Sequence, residues 1–448
     1  MRIIYSWLIR AAAPFAFAQV LWRGFGDRGY RQGLAERFGF GRALPAPASI
    51  WLHAVSLGEM SAAAPLARAL MTRYPQFPLV ITTATPAGRA RAQALFAVGN
   101  NANPQPDIRY LPYDTPGAVR RFLARIQPRL AVIMETELWP NLLRECERRK
   151  VPVFLASARL SAKSVSRYRR FGGLFSAVFT PNVTVAAQTA DDAERFRAIG
   201  APADQTHVIG NVKFDLAVDA GLIEAGRRLR TAYGAARSVW AAGSTHAGEE
   251  EQVLDAHALL LAHRPDALLL LAPRHKDRFA AVAALLTRRG IRFTRRSDMS
   301  PRSEMSPRGD MARIDAATVL LVDTIGELAA LYASADVAFV GASLVPIGGH
   351  NLLEPAALSV PVLTGPSHFN AKDIARLLLE RGAALQVADA QSLAAVLLRL
   401  FDRPEECRRM GSIGKDIVDS NRGSVARLLA LIEPSLAVEP SLQEARRS

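Results

Sequence analysis

Short apolar runs alternate with helical segments along the chain from Ser49 onward. The apolar runs predict buried strands, and the stretches between them predict helices such as Ser61–Tyr74, Pro116–Ile126 and Asn141–Arg149. The predicted strands of this first series are Ile50–Ala54, Leu79–Thr83, Ile108–Pro112, Leu130–Met134, Val153–Ala156, Val183–Ala187 and His207–Ile209. Such alternation favours an α/β fold in which a parallel sheet is covered by helices on both faces.

The alternation stops at Asp215–Ala236, a polar helical segment interrupted by glycine, and then resumes. The second series of predicted strands is Val239–Ala242, Leu268–Ala272, Ile291–Thr294, Val319–Val322, Val337–Val340, Val360–Leu363 and Ala384–Val387. We therefore predict two similar doubly wound domains at residues 45–215 and 237–403, joined by a linker at 216–236. An N-terminal segment at 1–44, helices at 404–433 that pack back across both domains and a loose tail at 434–448 complete this organisation.

One stretch does not fit the pattern. Residues 297–311 read SDMSPRSEMSPRGDM, with Met-Ser-Pro-Arg at 299–302 and again at 305–308. We interpret this polar stretch, which contains two prolines, as a disordered surface loop and assign it no function.

The N-terminal segment has the composition of a membrane anchor. Ile3 to Trp22 is apolar over about the length that spans hydrocarbon, with one charge at Arg10 and a proline at Pro14. Trp7 and Trp22 lie toward its ends, as interfacial aromatics do. The arginines that follow favour the cytoplasmic side for the bulk of the protein: Arg23, Arg28, Arg31, Arg37 and Arg42.

Three arrangements of this segment stay open. A charge such as Arg10 costs about 2.5–3.5 kcal/mol at a bilayer centre, so both a signal anchor and an in-plane interfacial helix fit the sequence. The third is a helix packed on the protein's own surface. The segment is long for a cleavable signal, and we do not expect cleavage after Ala-Phe-Ala at 16–18.

Bulk composition narrows the class of partner. The chain has 448 residues and a net charge of +15, which favours anionic lipid, phosphorylated substrate or nucleic acid. Nucleic acid is disfavoured because no recognised nucleic-acid-binding motif is present. No Gly-x-Gly-x-x-Gly follows an early predicted strand and no P-loop occurs, which lowers the case for a dinucleotide oxidoreductase or an ATPase. The two cysteines, Cys146 and Cys407, have no metal-site spacing and are predicted to be reduced thiols, as in a cytoplasmic protein.

Acidic side chains follow two predicted strands of the first domain. Glu59 comes directly after the first strand, in WLHAVSLGE at 51–59, where a carboxylate at the ligand edge of the sheet can accept a proton from a hydroxyl. His53 and Ser56 could orient it or the substrate. The alternative is a helix first-turn acid stabilised by the helix dipole.

Two further acids and a lysine mark the same predicted edge. Glu135 and Glu137 follow the fourth strand, and if the chain stays extended their carboxylates point to one face. The alternative role is a salt bridge to an arginine. Lys213, in GNVKFD at 210–215, lies near the domain junction, where it could meet a phosphate or carboxylate; the alternative is a solvated surface lysine.

The second domain carries turns suited to a nucleotide. Asp336 to Pro366 reads as strand, Gly-Gly-His-Asn loop, helix and strand, and a helix start of this kind can bind an anion. Asn351 would lie at that helix start, and Glu354 could hold a ribose or base. Gly243–His246, Arg274 and residues 325–327 follow three other strands, Arg274 being suited to phosphate. Singly, each of these turns also fits an ordinary βαβ connection.

Taken together these motifs resemble those of the 3-deoxy-D-manno-octulosonic acid (Kdo) transferases of lipopolysaccharide assembly. The similarity covers about residues 45–430, and the motifs occur in the family's order. They are HAVSLGE, TTATPAG, YLPYD, METELWPN, ARLS, GNVKFD, AGSTHAGEE, PRH followed by RF, DTIGEL and GGHNLLEP.

The resemblance implies a GT-B fold, with two Rossmann-like domains facing a cleft, and an inverting, metal-independent transfer of Kdo from CMP-Kdo to a lipid A precursor. Glu59 would be the general base, while Glu135 and Lys213 would assist the transition state. The residues that would contact CMP are Pro273, Arg274, Ile325, Gly326, Glu327, Asn351, Leu352, Leu353 and Glu354. No metal and no other cofactor is expected, and the protein would work at the cytoplasmic side of the inner membrane, held by a single N-terminal anchor.

Two departures and two alternatives accompany this hypothesis. Ile325 stands where the family usually has methionine, and Leu352 where proline is common; we expect little effect, since both would contact CMP through backbone or apolar surface. The first alternative is another GT-B enzyme, such as a UDP-sugar transferase or epimerase. The second is a non-catalytic, membrane-associated protein that keeps a nucleotide site.

Overall fold

A computed structural model describes residues 2–45, 48–97, 105–216, 219–234, 236–299, 314 and 316–437. The chain divides into two compact units. The first runs up to Asp215 and includes the segment from Asn421 onward, and the second is Leu216–Ser420. Each unit contains one seven-stranded sheet in which the paired strands are parallel.

The sheet of the first unit has the strand order β3-β2-β1-β4-β5-β6-β7. Its strands are β1 Ser49–His53, β2 Leu79–Thr83, β3 Asp107–Tyr110, β4 Pro128–Met134, β5 Val153–Ala158, β6 Val183–Ala187 and β7 Thr206–Val208. The helices up to β7 are α1 Arg2–Gly26, α2 Leu57–Arg73, α3 Pro86–Phe96, α4 Pro116–Ile126, α5 Pro140–Arg148, α6 Ala162–Arg170, α7 Gly172–Phe175 and α8 Ala190–Arg197. The strand order reverses between β1 and β4, which is where open α/β sheets bind ligands.

The second unit repeats this topology with the order β10-β11-β9-β8-β12-β13-β14. Its strands are β8 Val239–Thr245, β9 Leu268–Pro273, β10 Phe293–Arg295, β11 Val319–Leu321, β12 Val337–Val340, β13 Val362–Thr364 and β14 Ala384–Gln386. Its helices are α9 Ala220–Tyr233, α10 Glu250–Leu261, α11 Lys276–Arg288, α12 Leu328–Ser334, α13 Leu353–Ala357, α14 Lys372–Glu380, α15 Ala390–Asp402 and α16 Pro404–Asn421.

The chain ends its described part in the first unit with α17, Ser424–Leu436. Short 3-10 turns lie at Arg28–Arg31, Glu36–Phe38, Ser176–Val178, Val212–Phe214, Arg296–Asp298 and Phe369–Ala371. Helix α17 packs Leu428 and Ile432 into the core of the first unit, while Met410 of α16 belongs to the core of the second. Asp215 fixes the start of α17, since its carboxylate accepts the N–H groups of Gly423 and Val425, each at 2.6 Å.

The predicted doubly wound fold is confirmed. Every predicted strand is present, β2, β6 and β12 with unchanged bounds and the others with ends moved by no more than three residues. The first sheet has apolar layers on both faces, one containing Trp51 and Phe122 and the other Leu52 and Met60. Helix α2 begins four residues earlier than predicted because the Ser56 side chain caps it. The predicted linker segment contains α9, which belongs to the second unit.

Helix α1 lies along the surface of the first unit. The Tyr5 hydroxyl donates to Asp114 Oδ2 at 2.9 Å, and the Ser6 hydroxyl donates to Asn141 Oδ1 at 2.8 Å. Farther along, the rings of Phe17 and Phe38 meet edge to face with centroids 5.1 Å apart. Within the described part of the chain, α1 is the one helix long and apolar enough to cross a membrane. The predicted loop at 297–311 lies outside the described residues from 300 onward, as does the tail beyond residue 437.

Candidate active site

The Glu59 carboxylate is held by its own turn at the end of β1. Ser56 is the N-cap of α2, and its hydroxyl donates to Glu59 Oε1 at 3.2 Å. The backbone N–H of Val55 donates to Glu59 Oε2 at 2.8 Å. The carboxylate therefore takes part in the helix cap, as the alternative role of an acid in the first turn of the helix predicts. The same two hydrogen bonds give it a fixed orientation at the carboxyl end of the strand, the edge at which open α/β sheets bind ligands.

Glu135 and Lys213 lie beside Glu59. Lys213 Nζ is 3.3 Å from Glu135 Oε1, and each side chain is about a quarter exposed (24%). Burial raises the pKa of Glu59, the hydrogen bond from Val55 opposes this, and the nearby charge of Glu135 raises the pKa further. Lys213 lowers it by a smaller amount. The three residues predicted to be catalytic are therefore within electrostatic contact of one another.

Glu137 belongs to the same cluster, although it was not among the predicted catalytic residues. Burial raises its pKa to about 7, with smaller increases from Glu59 and Glu135, while a hydrogen bond from Trp139 Nε1 at 2.6 Å opposes these effects. The chain is not extended here, because Glu135 adopts a left-handed backbone with φ of +55°, so the condition for both carboxylates to share one strand face is not met. The chain turns directly after β4, and the turn, rather than strand alternation, brings both carboxylates toward Glu59.

His53 does not orient Glu59. The ring is fully buried, and its Nδ1 lies 2.9 Å from Thr82 Oγ1 and 3.1 Å from Thr82 O, so the sequence-based suggestion for His53 is wrong. Burial lowers the pKa of His53 to about 4. A strand-end histidine that faces the core packs against the neighbouring strand, which the one-dimensional pattern does not reveal.

The TTATPAG motif supports Glu59 indirectly. The hydroxyl of Thr83 donates to the carbonyl of Val55 at 2.8 Å, and that of Thr85 does so at 3.4 Å. Val55 in turn donates its N–H to Glu59. Gly88 packs so closely that a Cβ there would lie 2.2 Å from Thr83 Oγ1. This motif therefore fixes the peptide that holds the candidate base.

In the second unit, Glu249 organises the turns predicted to bind the nucleotide. The residue is fully buried, and its two carboxylate oxygens accept backbone N–H groups from His246, Ala342, Ser343 and Leu344 at 3.3, 2.7, 2.9 and 2.9 Å. Burial raises the pKa of Glu249, and these N–H donors oppose the increase. One carboxylate therefore joins the turn after β8 to the turn after β12. Sequence reasoning missed it, because Glu249 resembles an ordinary acid at a helix start.

Three histidines gather at these turns. His246 Nε2 lies 2.9 Å from His350 Nε2 with the rings stacked, and His275 meets His246 edge to face at 5.2 Å. Burial, followed by the positive charge of Arg274, lowers the pKa of His350 to about 3. Burial also lowers the pKa of His246, followed by His275 and Arg274. The pair is therefore neutral near pH 7 and lies within electrostatic reach of Arg274, the predicted phosphate ligand.

The residues predicted to contact CMP differ in which of their groups, side chain or backbone, can reach a ligand. Asn351 Oδ1 accepts the N–H of Leu353 at 3.2 Å, and its amide donates to Glu354 Oε1 at 3.2 Å. Leu352 and Leu353 are buried, so only their backbone groups can reach a ligand, whereas the Ile325 side chain is 60% exposed. Helix α13 has five residues, so the helix dipole contributes less to anion binding than the sequence suggested.

The remaining predicted contacts lie at the ends of β9 and β11. Pro273 is the last residue of β9, and the N–H of Arg274 donates to Thr245 O at 3.0 Å. Gly326 has a positive φ of +83°. The Glu327 carboxylate is held by Arg296, whose Nε lies 3.0 Å from Oε2, and by the Thr324 hydroxyl at 2.7 Å. Within the described ranges, no group of three or more His, Cys, Asp or Glu side chains has the arrangement of a metal site.

The two doubly wound units have the GT-B fold. The UDP-GlcNAc 2-epimerase from Neisseria meningitidis, solved bound to UDP-GlcNAc, shares this fold with a TM-score of 0.54 at 13% identity, covering 86% of this chain and 100% of that one.

The family follows from sequence comparison. Residues 32–216 match the family model of 3-deoxy-D-manno-octulosonic-acid transferase (kdotransferase). The 3-deoxy-D-manno-octulosonic acid transferase of Haemophilus influenzae is 38% identical over 97% of this chain and 99% of its own. That of Bordetella pertussis is 39% identical over 96% of this chain and 99% of its own. The chain therefore belongs to the Kdo transferase family of glycosyltransferases of lipopolysaccharide biosynthesis.

Proposed function

We propose that the protein transfers Kdo from CMP-Kdo to a hydroxyl group of a lipid A precursor, with inversion and without a metal ion. The observation that carries the proposal is the cluster of Glu59, Glu135 and Lys213, which follow the carboxyl ends of β1, β4 and β7 respectively. The family membership supports Kdo as the transferred sugar. The family membership does not by itself assign the carrier or the acceptor, so CMP as the carrier and a lipid A precursor as the acceptor are our proposal.

In the proposed reaction Glu59 accepts the proton of the acceptor hydroxyl. That oxygen forms a bond to the anomeric carbon of Kdo while the bond from this carbon to the phosphate oxygen of CMP breaks. The bonding pair leaves with CMP, and attack from the opposite face inverts the anomeric centre. A raised pKa makes a carboxylate a better base near neutral pH, and burial gives Glu59 that property.

The other two residues of the cluster act on charge and geometry. Lys213 supplies a positive charge for the transition state, and Glu135 fixes the position of that ammonium group through their ion pair. Arg274, next to the neutral His246 and His350, supplies the positive charge for the donor phosphate. A single phosphate group carries little enough charge for side chains to stabilise it, which is the physical basis for proposing a metal-independent reaction.

The proposed location is the cytoplasmic side of the inner membrane, with α1 as the single anchor. The apolar α1 and the net charge of +15 support attraction to an anionic bilayer. No nucleic-acid partner is proposed.

Mass analysis of the lipid after incubation with CMP-Kdo tests the function. The expected product is heavier by one or more Kdo units, with one CMP released for each. Transfer from a UDP-sugar with no reaction of CMP-Kdo would overturn the donor assignment. Absence of CMP release with donor and lipid both present would favour a non-catalytic protein. Repeating the assay after treatment with a chelator tests metal independence, since the proposal expects an unchanged rate.

A further inference from the structure

A basic groove runs beneath α1 in the first unit. It is a cavity of about 360 Å³ between α1 and the pair α4 and α5. Four arginines, one glutamate and several uncharged side chains line it, and we call it the arginine groove: Arg10, Arg120, Arg144, Arg148 and Glu145, with Ile3, Ser6, Trp7, Pro116 and Asn141. No residue predicted to bind CMP-Kdo or to act in transfer is among them.

The charge of the groove is strongly positive. Glu145 accepts from Arg148 at 2.8 Å and from Arg149 at 3.0 Å, so its charge is already compensated. Among the residues that the structure describes, Arg10, Arg120 and Arg144 have no carboxylate within ion-pair distance. Positive side chains held together in this way repel one another, and an anion between them relieves the repulsion.

The orientation of α1 explains why its one internal charge is tolerated. A helix turns about 100° per residue, so Ser6, Arg10 and Phe17 lie within about 40° of one another around the helix axis. Ser6 and Phe17 contact the protein, and Arg10 lines the groove. Arg10 is exposed and lies at the groove on the side of α1 that contacts the protein, where the high cost of a charge in hydrocarbon does not arise.

The opposite side of α1 is apolar and exposed. Ile4, Leu8, Phe15 and Trp22 also fall within about 40° of one another, and their exposed fractions are 63%, 64%, 79% and 73%. This exposed apolar stripe lies roughly opposite Arg10 around the helix. Because Tyr5 and Phe17 both contact the first unit, about 18 Å of helix runs along that unit. Such a helix is oriented to lie in the plane of a membrane interface, with its stripe in the acyl layer.

We propose that the arginine groove binds the phosphate headgroup of an anionic membrane lipid while α1 lies flat in the interface. The stripe supplies apolar contact, and Trp7 at the groove edge suits the headgroup level. The site is separate from the transfer reaction and requires only that the protein works at a membrane surface, as the proposed function states. Its readout is lipid binding, so it can fail or hold independently of Kdo transfer.

Vesicle sedimentation of the full-length chain tests the groove. Arg120→Gln with Arg144→Gln removes two groove charges, and the matched control Arg227→Gln with Arg228→Gln removes two from the exposed surface of α9. At about 1 kcal/mol for each arginine near the surface, the groove variant should bind phosphatidylglycerol-containing vesicles about 30-fold more weakly. The control should bind them as the unaltered chain does. Equal losses in both variants would overturn the proposal.

Two further measurements sharpen the assignment. Titration with inorganic phosphate and glycerol phosphate in the absence of vesicles should give no saturable binding; saturable binding lost in the groove variant would reassign the groove to a soluble anion. Nitroxide labels placed through Ile4→Cys, Phe15→Cys and Trp22→Cys should report the same shallow depth in vesicles. A label at position 15 near the bilayer centre, with position 22 at the far interface, would mean that α1 spans the membrane and would also overturn the proposal.

Discussion

Lys213 Nζ lies 3.3 Å from Glu135 Oε1, and this ion pair stands beside the carboxylate of Glu59. Burial is the largest influence on Glu59 and raises its pKa. The two members of the ion pair act on that carboxylate in opposite directions, Glu135 raising the pKa and Lys213 lowering it. The pair therefore balances two influences on the candidate base, and removing either member disturbs the balance with a known sign.

Glu135→Gln and Lys213→Met should move the acidic limb of the pH–rate profile in opposite directions. Removing Glu135 leaves the lysine charge unopposed, so the pKa of Glu59 falls and activity persists to lower pH. Removing Lys213 leaves the Glu135 charge unopposed, so the pKa of Glu59 rises and the acidic limb moves to higher pH. The measurement is kcat/KM against pH, which reports the free enzyme. Glu224→Gln, on the exposed face of α9, is the control and should leave the limb in place.

Shifts in the same direction, or no shift, would contradict this account. They would assign the acidic limb to another group, and Glu137 is the first candidate because burial raises its pKa to about 7.

Replacing Glu59 should abolish transfer without abolishing CMP binding. In Glu59→Gln the side chain keeps its size and one oxygen for the N–H of Val55, but it cannot accept a proton. We expect kcat to fall roughly a hundredfold to ten-thousandfold, the range of general base catalysis. Calorimetric titration with CMP should give an affinity near that of the unaltered protein.

Ser56→Ala is the matched control for Glu59, since it removes the helix cap and one hydrogen bond to the carboxylate but leaves the base. Its cost should be mainly in stability, about 0.5–2 kcal/mol. If Glu59→Gln turned over substrate at the rate of Ser56→Ala, the carboxylate would be only a capping group.

Sequence reasoning predicted the fold well because the fold depends on local patterns. Val337–Val340 is apolar throughout and lies between Asp336 and Gly341, so β12 was placed with its bounds unchanged. The candidate cluster was predicted only where a residue follows a strand end, as Glu59 follows β1. Glu249 was not predicted, because the partners of its carboxylate include the N–H groups of residues 342–344, which lie over ninety positions farther along the chain. The bend at Glu135 was not predicted, because a left-handed backbone is uncommon for glutamate.

Glu249→Gln should weaken CMP binding more than the loss of one charge would. One carboxylate oxygen becomes an NH₂ group that faces backbone donors, and each N–H left without an acceptor costs roughly 1–3 kcal/mol. The turns after β8 and β12 would then separate, which disturbs the geometry of His246 and of the loop before Asn351. Calorimetry with CMP and thermal unfolding measure the two effects.

Glu251→Gln is the control for Glu249, because it removes a carboxylate from the first turn of the same helix. We expect CMP affinity to fall about tenfold or more in Glu249→Gln, since 1.4 kcal/mol corresponds to a factor of ten. It should stay nearly constant in Glu251→Gln. A lower melting temperature with unchanged CMP affinity in Glu249→Gln would limit this residue to a structural role.

Gly88→Ala should damage the enzyme through a chain of contacts that ends at Glu59. The new Cβ would lie 2.2 Å from Thr83 Oγ1, so that hydroxyl must leave the carbonyl of Val55, whose N–H holds the carboxylate. We expect a loss of about 1–3 kcal/mol in unfolding free energy together with a lower kcat. Thr83→Ala alone should cost about 0.5–1.5 kcal/mol, the value of one hydrogen bond. The double variant removes the clashing oxygen and should be more stable than the sum of the single losses, with a coupling of about 0.5–3 kcal/mol. Denaturant unfolding measures the unfolding free energies, and initial rates measure kcat. If the losses of unfolding free energy in the two single variants simply add up in the double variant, Gly88 does not act through Thr83.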